Sequence, residues 1–318
     1  MVDYKVDYYH DFLKDFLKSR GITENSDHKN ERKFYVMLKE KLLYLACVKD
    51  NPNNVRVAVD VIKLLENKDL LTPNEILNEN WRKSYEEFIH PKLWNDSIIK
   101  VLIKECISFT STKVGCGEFA IPLIVEDYRW SNKKGDGLVD GKYKSELGNG
   151  ETGKALKSNE DSELRVVDEV VGDLLGGHAL GFKTGHKRKL YEEFIENKYN
   201  SVESREKMFK ELLKLVWKTP EGLKVSDELC QKLALNYKDP VKCNTLIGLE
   251  VIKRYKNIDG WNNLLLINEK RETMVNIHDV SDIDVDGLGL VLTPKFKRGK
   301  DTNAIGDGYA VVKIGGVK

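Results

Sequence analysis

The sequence has almost no net charge, since 52 Lys and Arg side chains are balanced by 51 Asp and Glu for a formal charge of +1. This balance excludes a global electrostatic attraction to nucleic acid, so any contact with DNA must be local. The sequence also lacks an apolar run long enough to span a bilayer, and we expect no membrane partner. Its first sixteen residues are interrupted by charge at short intervals and predict no signal peptide.

Paired cysteine motifs are absent as well. The five cysteines are odd in number, are scattered and form no CxxC pair: Cys47, Cys106, Cys116, Cys230 and Cys243. This pattern indicates reduced thiols and argues against a disulfide framework or a zinc site. A hydrophobic content of 41% with 32% charged residues is that of an ordinary folded protein, so we expect a protein made in a cytoplasm.

Helical periodicity dominates the first third of the chain. Apolar residues recur at three- and four-residue spacing in five segments, which predict helices at 8–20, 31–48, 57–65, 76–88 and 98–109. We therefore expect residues 1–111 to form an all-helical layer. Aromatic residues at helical spacing are typical of a core, so this layer should serve packing against the rest of the chain or a partner.

The second half combines a helical insertion with late strands. Helical patterns predict an insertion at about 160–258, with helices at 161–175, 189–199, 204–217, 226–234 and 240–255. Short apolar runs then predict strands at 261–267, 274–277, 287–292 and 309–314. We therefore predict an α/β fold in which residues 112–318 form a core with a mixed central sheet, begun near Asp136 and completed after the insertion.

One acidic stretch, residues 115–154, suggests chemistry. Glu118 follows a Gly-Cys-Gly run at a predicted helix start, Asp136 enters a predicted hairpin, and Glu146 lies where its second strand leaves. Carboxylates on adjacent elements are the ligands that Mg²⁺ prefers. The sequence therefore predicts a possible Mg²⁺ site at Asp136 and Glu146.

This stretch resembles the PD-(D/E)xK nuclease superfamily, particularly phage-encoded members with GxGE, then KGD, then a hairpin ending in Glu-x-Lys. The resemblance assigns the three motif acids to Glu118, Asp136 and Glu146, and it implies a nuclease-like sheet. The motif lysine falls on Gly148, which has no side chain to stabilise charge on a phosphate. Lys144 and Lys154 are the nearby amines that could replace it.

The resemblance and the missing lysine together favour a catalytically degenerate phage protein. We expect it to act as a virion component made in the host cytoplasm, to contact other virion proteins or itself, and to require no cofactor. The alternative is an active Mg²⁺-dependent DNA endonuclease that uses the acids with Lys144 or Lys154. Turn chemistry at the two Asp-Gly pairs and a favourable first helical turn for Glu118 would explain the acids without any catalysis.

Two other motifs compete for function. The segment 148–155, GNGETGKA, has the GxxxxGK outline of a phosphate-binding loop, and LLLINE at 264–269 has that of a strand ending in a metal-linked acid. Two observations argue against nucleotide binding. Ala155 cannot ligate Mg²⁺, and the preceding segment 142–146 alternates polar and charged residues, unlike a buried parallel strand. The most basic local segment could contact nucleic acid or could be a solvated loop, and its candidate residues are Lys183, His186, Lys187, Arg188 and Lys189.

Overall fold

The fold was analysed in a computed structural model. It describes residues 6–23, 29–48, 54–73, 75–110, 114–131, 136–157, 165–166, 192–193, 195–217, 225–298 and 304–316. The helices are α1 (Val6–Ser19), α2 (Lys29–Val48), α3 (Asn54–Glu66), α4 (Tyr85–Phe88), α5 (Pro91–Trp94), α6 (Ser97–Ser108), α7 (Ile121–Ile124), α8 (Val202–Val216), α9 (Asp227–Leu235) and α10 (Pro240–Asp259). The strands are β1 (Trp81–Ser84), β2 (Tyr128–Trp130), β3 (Gly137–Val139), β4 (Tyr143–Asn149), β5 (Lys154–Lys157), β6 (Arg165–Val166), β7 (Asn263–Asn268), β8 (Thr273–Ile277), β9 (Leu290–Arg298) and β10 (Ala304–Ile314).

The chain divides into two compact units, and each combines segments that are distant in sequence. The first unit comprises Met1–Glu151 and Trp261–Asp279, and the second comprises Thr152–Gly260 and Val280–Lys318. The α/β class predicted from the sequence is confirmed, because each unit combines helices with a sheet. The boundaries along the chain follow residues 151, 260 and 279, whereas the sequence suggested a helical region ending at 111.

The first unit is built on a six-stranded mixed sheet with the order β1-β8-β7-β4-β3-β2. Neighbouring strands are antiparallel except β4 and β7, which pair in parallel from Ser145↔Asn263 to Asn149↔Ile267. The chain therefore leaves the sheet after β4, passes through the second unit and returns to the same sheet as β7. All six residues of β7 are buried, as expected for a central strand.

Helices of the first unit bury their apolar stripes in one core with side chains of this sheet. In α6, the Asp96 carboxylate caps the helix by accepting hydrogen bonds from the amides of Ile98 and Ile99. Its buried face carries Leu102 and Cys106, and the same core contains side chains of α1, α2, α3 and β7. The predicted packing role of these helices is therefore fulfilled within the chain itself.

The second unit contains a four-stranded sheet and a long helix. Strand β10 pairs with β9 on one side and with β5 and β6 on the other. Helix α10 begins at the Asp239 cap with Pro240 in its first turn, and it ends at Gly260, which adopts the left-handed conformation at φ +65°. Gly248 of α10 allows close packing on β9, because a Cβ there would lie 2.6 Å from Cβ of Leu292.

Several expectations from the sequence are wrong. Residues 81–84 form an edge strand rather than part of a helix at 76–88, so the first third of the chain is not all-helical. Residues 165–166 are strand β6 rather than helix. The late strands β9 and β10 do not extend the central sheet but belong to the second sheet.

Within the described residues, no helix combines the length and the apolar character that crossing a bilayer requires.

Candidate active site

Strands β3 and β4 form the tight hairpin that the acidic stretch predicted. Val139 pairs with Tyr143, and the turn between them contains Asp140 at φ +50° and Gly141 at φ +69°. Consecutive positive φ values are those of a hairpin turn, for which Asp-Gly is a preferred sequence. The second Asp-Gly pair therefore has a structural explanation. The first pair does not lie in this turn, because Asp136 immediately precedes β3.

Asp136 lies against the strand that carries Glu146. Its amide donates to the Ser145 carbonyl at 3.0 Å, and its Oδ2 accepts a hydrogen bond from the Leu147 amide at 2.8 Å. These two bonds attach Asp136 to the residues on both sides of Glu146. Two of the three sequence-predicted acids are therefore neighbours across the hairpin.

Lys144 shares its strand face with Glu146. Side chains alternate between the two faces of a strand, so Lys144, Glu146 and Gly148 lie on one face. The Lys144 amine is 3.4 Å from Oε1 of Glu146, and the two side chains are only 16% and 8% exposed. The Lys144 amine therefore lies beside the Glu146 carboxylate. It comes from two residues before Glu146, whereas the motif lysine would come from Gly148, two residues after it.

Glu118 is placed differently from the expectation. The helix begins at Ile121, with Pro122 in its first turn, so Glu118 lies in the preceding turn rather than near the start of a helix. Its Oε1 accepts a hydrogen bond from the Gly115 amide. Since a carboxylate that closes its own turn has a structural role, the observed contact supports that role for Glu118.

Gly117 fixes this turn against the central sheet. It adopts φ +80°, and a Cβ at this position would lie 2.2 Å from Cδ1 of Ile267 in β7. Only glycine combines this conformation with so close an approach at low cost. The Gly-Cys-Gly run that suggested a motif therefore has a packing function at Gly117.

Tyr128 lies within the electrostatic influence of all three acids. Burial raises the pKa of its hydroxyl, the nearby Ser145 hydroxyl acts in the opposite direction, and the charges of Asp136, Glu118 and Glu146 raise the pKa further. Tyr128 is thus held protonated within the field of these acids. No sequence pattern marks this residue, because its position depends on the pairing of β2 with β3.

The donor set fits Mg²⁺ at two carboxylates rather than three. Among the described residues, no group of three His, Cys, Asp or Glu side chains is arranged to hold a metal ion. Asp136, however, bonds the residues on both sides of Glu146, and Mg²⁺ is commonly bound by one or two carboxylates together with waters and substrate phosphates. These two residues are the ones that would hold the ion.

The phosphate-loop motif at 148–155 lacks the structural context that it needs. Strand β4 is buried at 145–148 and pairs in parallel with β7, so its polar residues do not exclude such a loop. A phosphate-binding loop of this type must lead into a helix N-terminus, whereas residues 154–157 form β5. Lys154, the other candidate amine, is paired with Val312 in the second unit.

Two further sequence features are the basic segment and Cys116. Lys183, His186, Lys187, Arg188 and Lys189 lie outside the described residues. Cys116 is fully buried, and burial followed by a hydrogen bond to Glu269 raises the pKa of its thiol. A protonated buried thiol is a poor nucleophile, so Cys116 is a core residue.

No family model, no curated protein and no solved structure matches this chain.

Proposed function

We propose that the hairpin of the first unit carries a divalent-metal-dependent phosphodiester hydrolase site, with DNA as the substrate that the nuclease resemblance implies. The observation that carries this proposal is the position of the Lys144 amine, 3.4 Å from Glu146 Oε1 on a shared strand face. Gly148 has no side chain to supply a positive charge, but Lys144 supplies one from the other side of the Glu146 carboxylate.

The residues have distinct roles in this proposal. Asp136 and Glu146 would hold Mg²⁺, and the ion would supply Lewis-acid chemistry for phosphodiester hydrolysis. Lys144 donates to the phosphate and stabilises the negative charge that develops during attack. Its 16% exposure indicates a poorly solvated site. A positive charge there lowers the activation barrier by several kcal/mol, whereas a surface pair has only a small effect.

The local backbone supports this arrangement by holding the groups in place. The Leu147 amide fixes the Asp136 carboxylate at 2.8 Å, and the carbonyl of Lys144 accepts from the Asn262 amide at 2.8 Å. The amide of Lys144 in turn donates to Asn262 Oδ1 at 2.9 Å. Both ends of the acid–lysine segment are thereby attached to neighbouring backbone, which favours a preorganised site.

Cleavage of linear, circular and single-stranded DNA by the purified chain tests the proposal, in Mg²⁺, in Mn²⁺ and in EDTA. We expect metal-dependent cutting that Asp136→Asn and Glu146→Gln each reduce by at least about a hundredfold. The matched control is Asp140→Asn, which neutralises an exposed turn carboxylate four residues from Asp136 and should leave cutting unchanged. Equal loss in all three variants, or cutting that persists in EDTA, would contradict the assignment.

A second function, a non-catalytic assembly component of a virion, is favoured by different contacts. Glu118 is engaged by the Gly115 amide, and Lys144 neutralises Glu146 in an ion pair. Both contacts would stabilise a nuclease-like fold without chemistry. This alternative predicts no cutting with either metal, together with concentration-dependent self-association in sedimentation velocity or binding to other virion proteins.

A further inference from the structure

Three polar atoms lie deep in the first unit without a protein partner in the described part of the chain. They are the Tyr128 hydroxyl, the Ser145 hydroxyl and Oδ1 of Asn263, and all three residues are 0% exposed. A buried polar atom without a hydrogen bond costs about 1–3 kcal/mol, so several together in one core require an explanation.

The sheet register brings these atoms into one row. Gly137, Ser145 and Asn263 are directly paired on the adjacent strands β3, β4 and β7, so they project from the same sheet face. Tyr128 reaches this row from β2, since a Cβ on Gly137 would lie 2.3 Å from its hydroxyl oxygen. The two hydroxyls lie near each other but have no hydrogen bond of adequate geometry between them.

Asn263 cannot reorient to satisfy its own oxygen without loss. Its amide nitrogen donates to Asn276 Oδ1 at 3.3 Å. The amide nitrogen of Asn276 donates in turn to the carbonyls of Ile76 and Glu79, at 3.0 and 2.8 Å. These bonds fix the orientation of both amides, so Asn263 Oδ1 faces the row as an acceptor that needs a donor.

We propose that this row, formed by Tyr128, Ser145 and Asn263, is a binding site for at least one ordered internal water. Water is the ligand that fits, because it can donate to Asn263 Oδ1 while it bonds one or both hydroxyls, and buried waters typically make about three such bonds. The three polar atoms together offer such a water one acceptor and two hydroxyl groups. The water would link β2, β4 and β7 on the face of β4 opposite to Glu146, and the site does not depend on whether the chain is an enzyme.

The sign of a stability change tests the proposal. In Tyr128→Phe, the loss of a water-bonded hydroxyl should increase the unfolding equilibrium constant roughly fivefold in urea denaturation. If the hydroxyl has no partner, its removal relieves a desolvation cost, and the constant should fall or stay the same. A fall or no change overturns the proposal. Tyr143→Phe is the control. It alters a partly exposed tyrosine beside the turn between β3 and β4, and it should have little effect.

Two further measurements keep the test decisive. The double variant Tyr128→Phe/Ser145→Ala should be less destabilised than the sum of the single variants, because either one releases the same water. Strict additivity contradicts a shared water. A high-resolution crystal structure should show a water within hydrogen-bond distance of at least two of the three atoms. Absence of that water, or a protein side chain in its place, refutes the site.

Discussion

The Lys144 amine and the Glu146 carboxylate lie 3.4 Å apart on one face of β4, almost completely shielded from solvent. In the motif that the sequence resembles, the amine follows the acid by two residues, and in this chain it precedes the acid by two. Because a strand repeats every two residues, both positions project to the same face beside the same carboxylate. The absence of a side chain at Gly148 is therefore a weaker argument against catalysis than the sequence suggested.

Removal of this amine should separate catalysis from folding. We expect Lys144→Met to lower the rate of metal-dependent DNA cleavage by about a hundredfold or more, since it removes positive charge from a poorly solvated site. Lys142→Met is the matched control, because Lys142 is exposed and its amine lies over the Tyr143 ring at 4.6 Å. Cleavage rates and circular dichroism of both variants provide the check. Indistinguishable rates would exclude a catalytic role for Lys144.

Substitution of Gly117 should destabilise the first unit strongly. Gly117→Ala imposes a left-handed conformation on alanine and places its Cβ 2.2 Å from Ile267 Cδ1, so we expect a loss of about 3 kcal/mol. Gly141→Ala has the same kind of positive φ with nothing within 4 Å, and it should cost only about 1 kcal/mol. Chemical denaturation measures both. Equal losses would show that packing on Ile267 is unimportant.

The Cys116 thiol should be unreactive in the folded protein. Its raised pKa reduces the thiolate fraction at neutral and mildly alkaline pH, and its burial blocks access. We expect no modification of Cys116 by iodoacetamide at pH 8 until denaturant is added, as read by mass spectrometry of peptides. Cys116→Ser should also retain any cleavage activity. Rapid native labelling, or loss of activity in a folded Cys116→Ser protein, would point instead to a chemical role.

Arg254 should contribute strongly to the stability of the second unit through its contacts on α10. It is 1% exposed, its Nε bonds Glu250 Oε1 at 3.0 Å, and its guanidinium lies 4.4 Å from the centre of the Trp217 ring. Arg254→Ala should cost about 3 kcal/mol, because it leaves Glu250 without its partner and uncovers the indole. The neighbouring Lys253 is exposed, and Lys253→Ala should change stability by less than about 0.5 kcal/mol. Thermal and urea unfolding distinguish the two.

Local periodicity predicted those elements whose own residues determine them. Helices α2 and α6 and strands β7 and β8 fall close to the predicted ranges, because each has an apolar stripe or a buried run of its own. The helix predicted at 76–88 failed for the opposite reason. Trp81, Tyr85 and Phe88 have helical spacing, but residues 81–84 pair with β8 almost two hundred positions later. No local pattern contains that information.

The candidate site was predictable in its acids but not in its geometry. Asp136 and Glu146 could be selected because a hairpin brings them together locally. The sequence could not show which of Lys144 and Lys154 lies beside the acids. The structure shows it, because Lys154 begins a strand of the second sheet. Tyr128, Ser145 and Asn263 were missed, since their burial and their alignment depend on pairings among four strands.

The parallel contact between β4 and β7 also bears on biosynthesis. Leu147 meets Leu265 across more than a hundred intervening residues, so the hairpin leaves the ribosome well before the strand that covers its flank. Parallel pairings of such separation form late, because a long stretch of polypeptide must first be ordered. We expect one side of β4 to stay unpaired in the nascent chain until β7 has been synthesised, and until then a chaperone or another copy would meet it first.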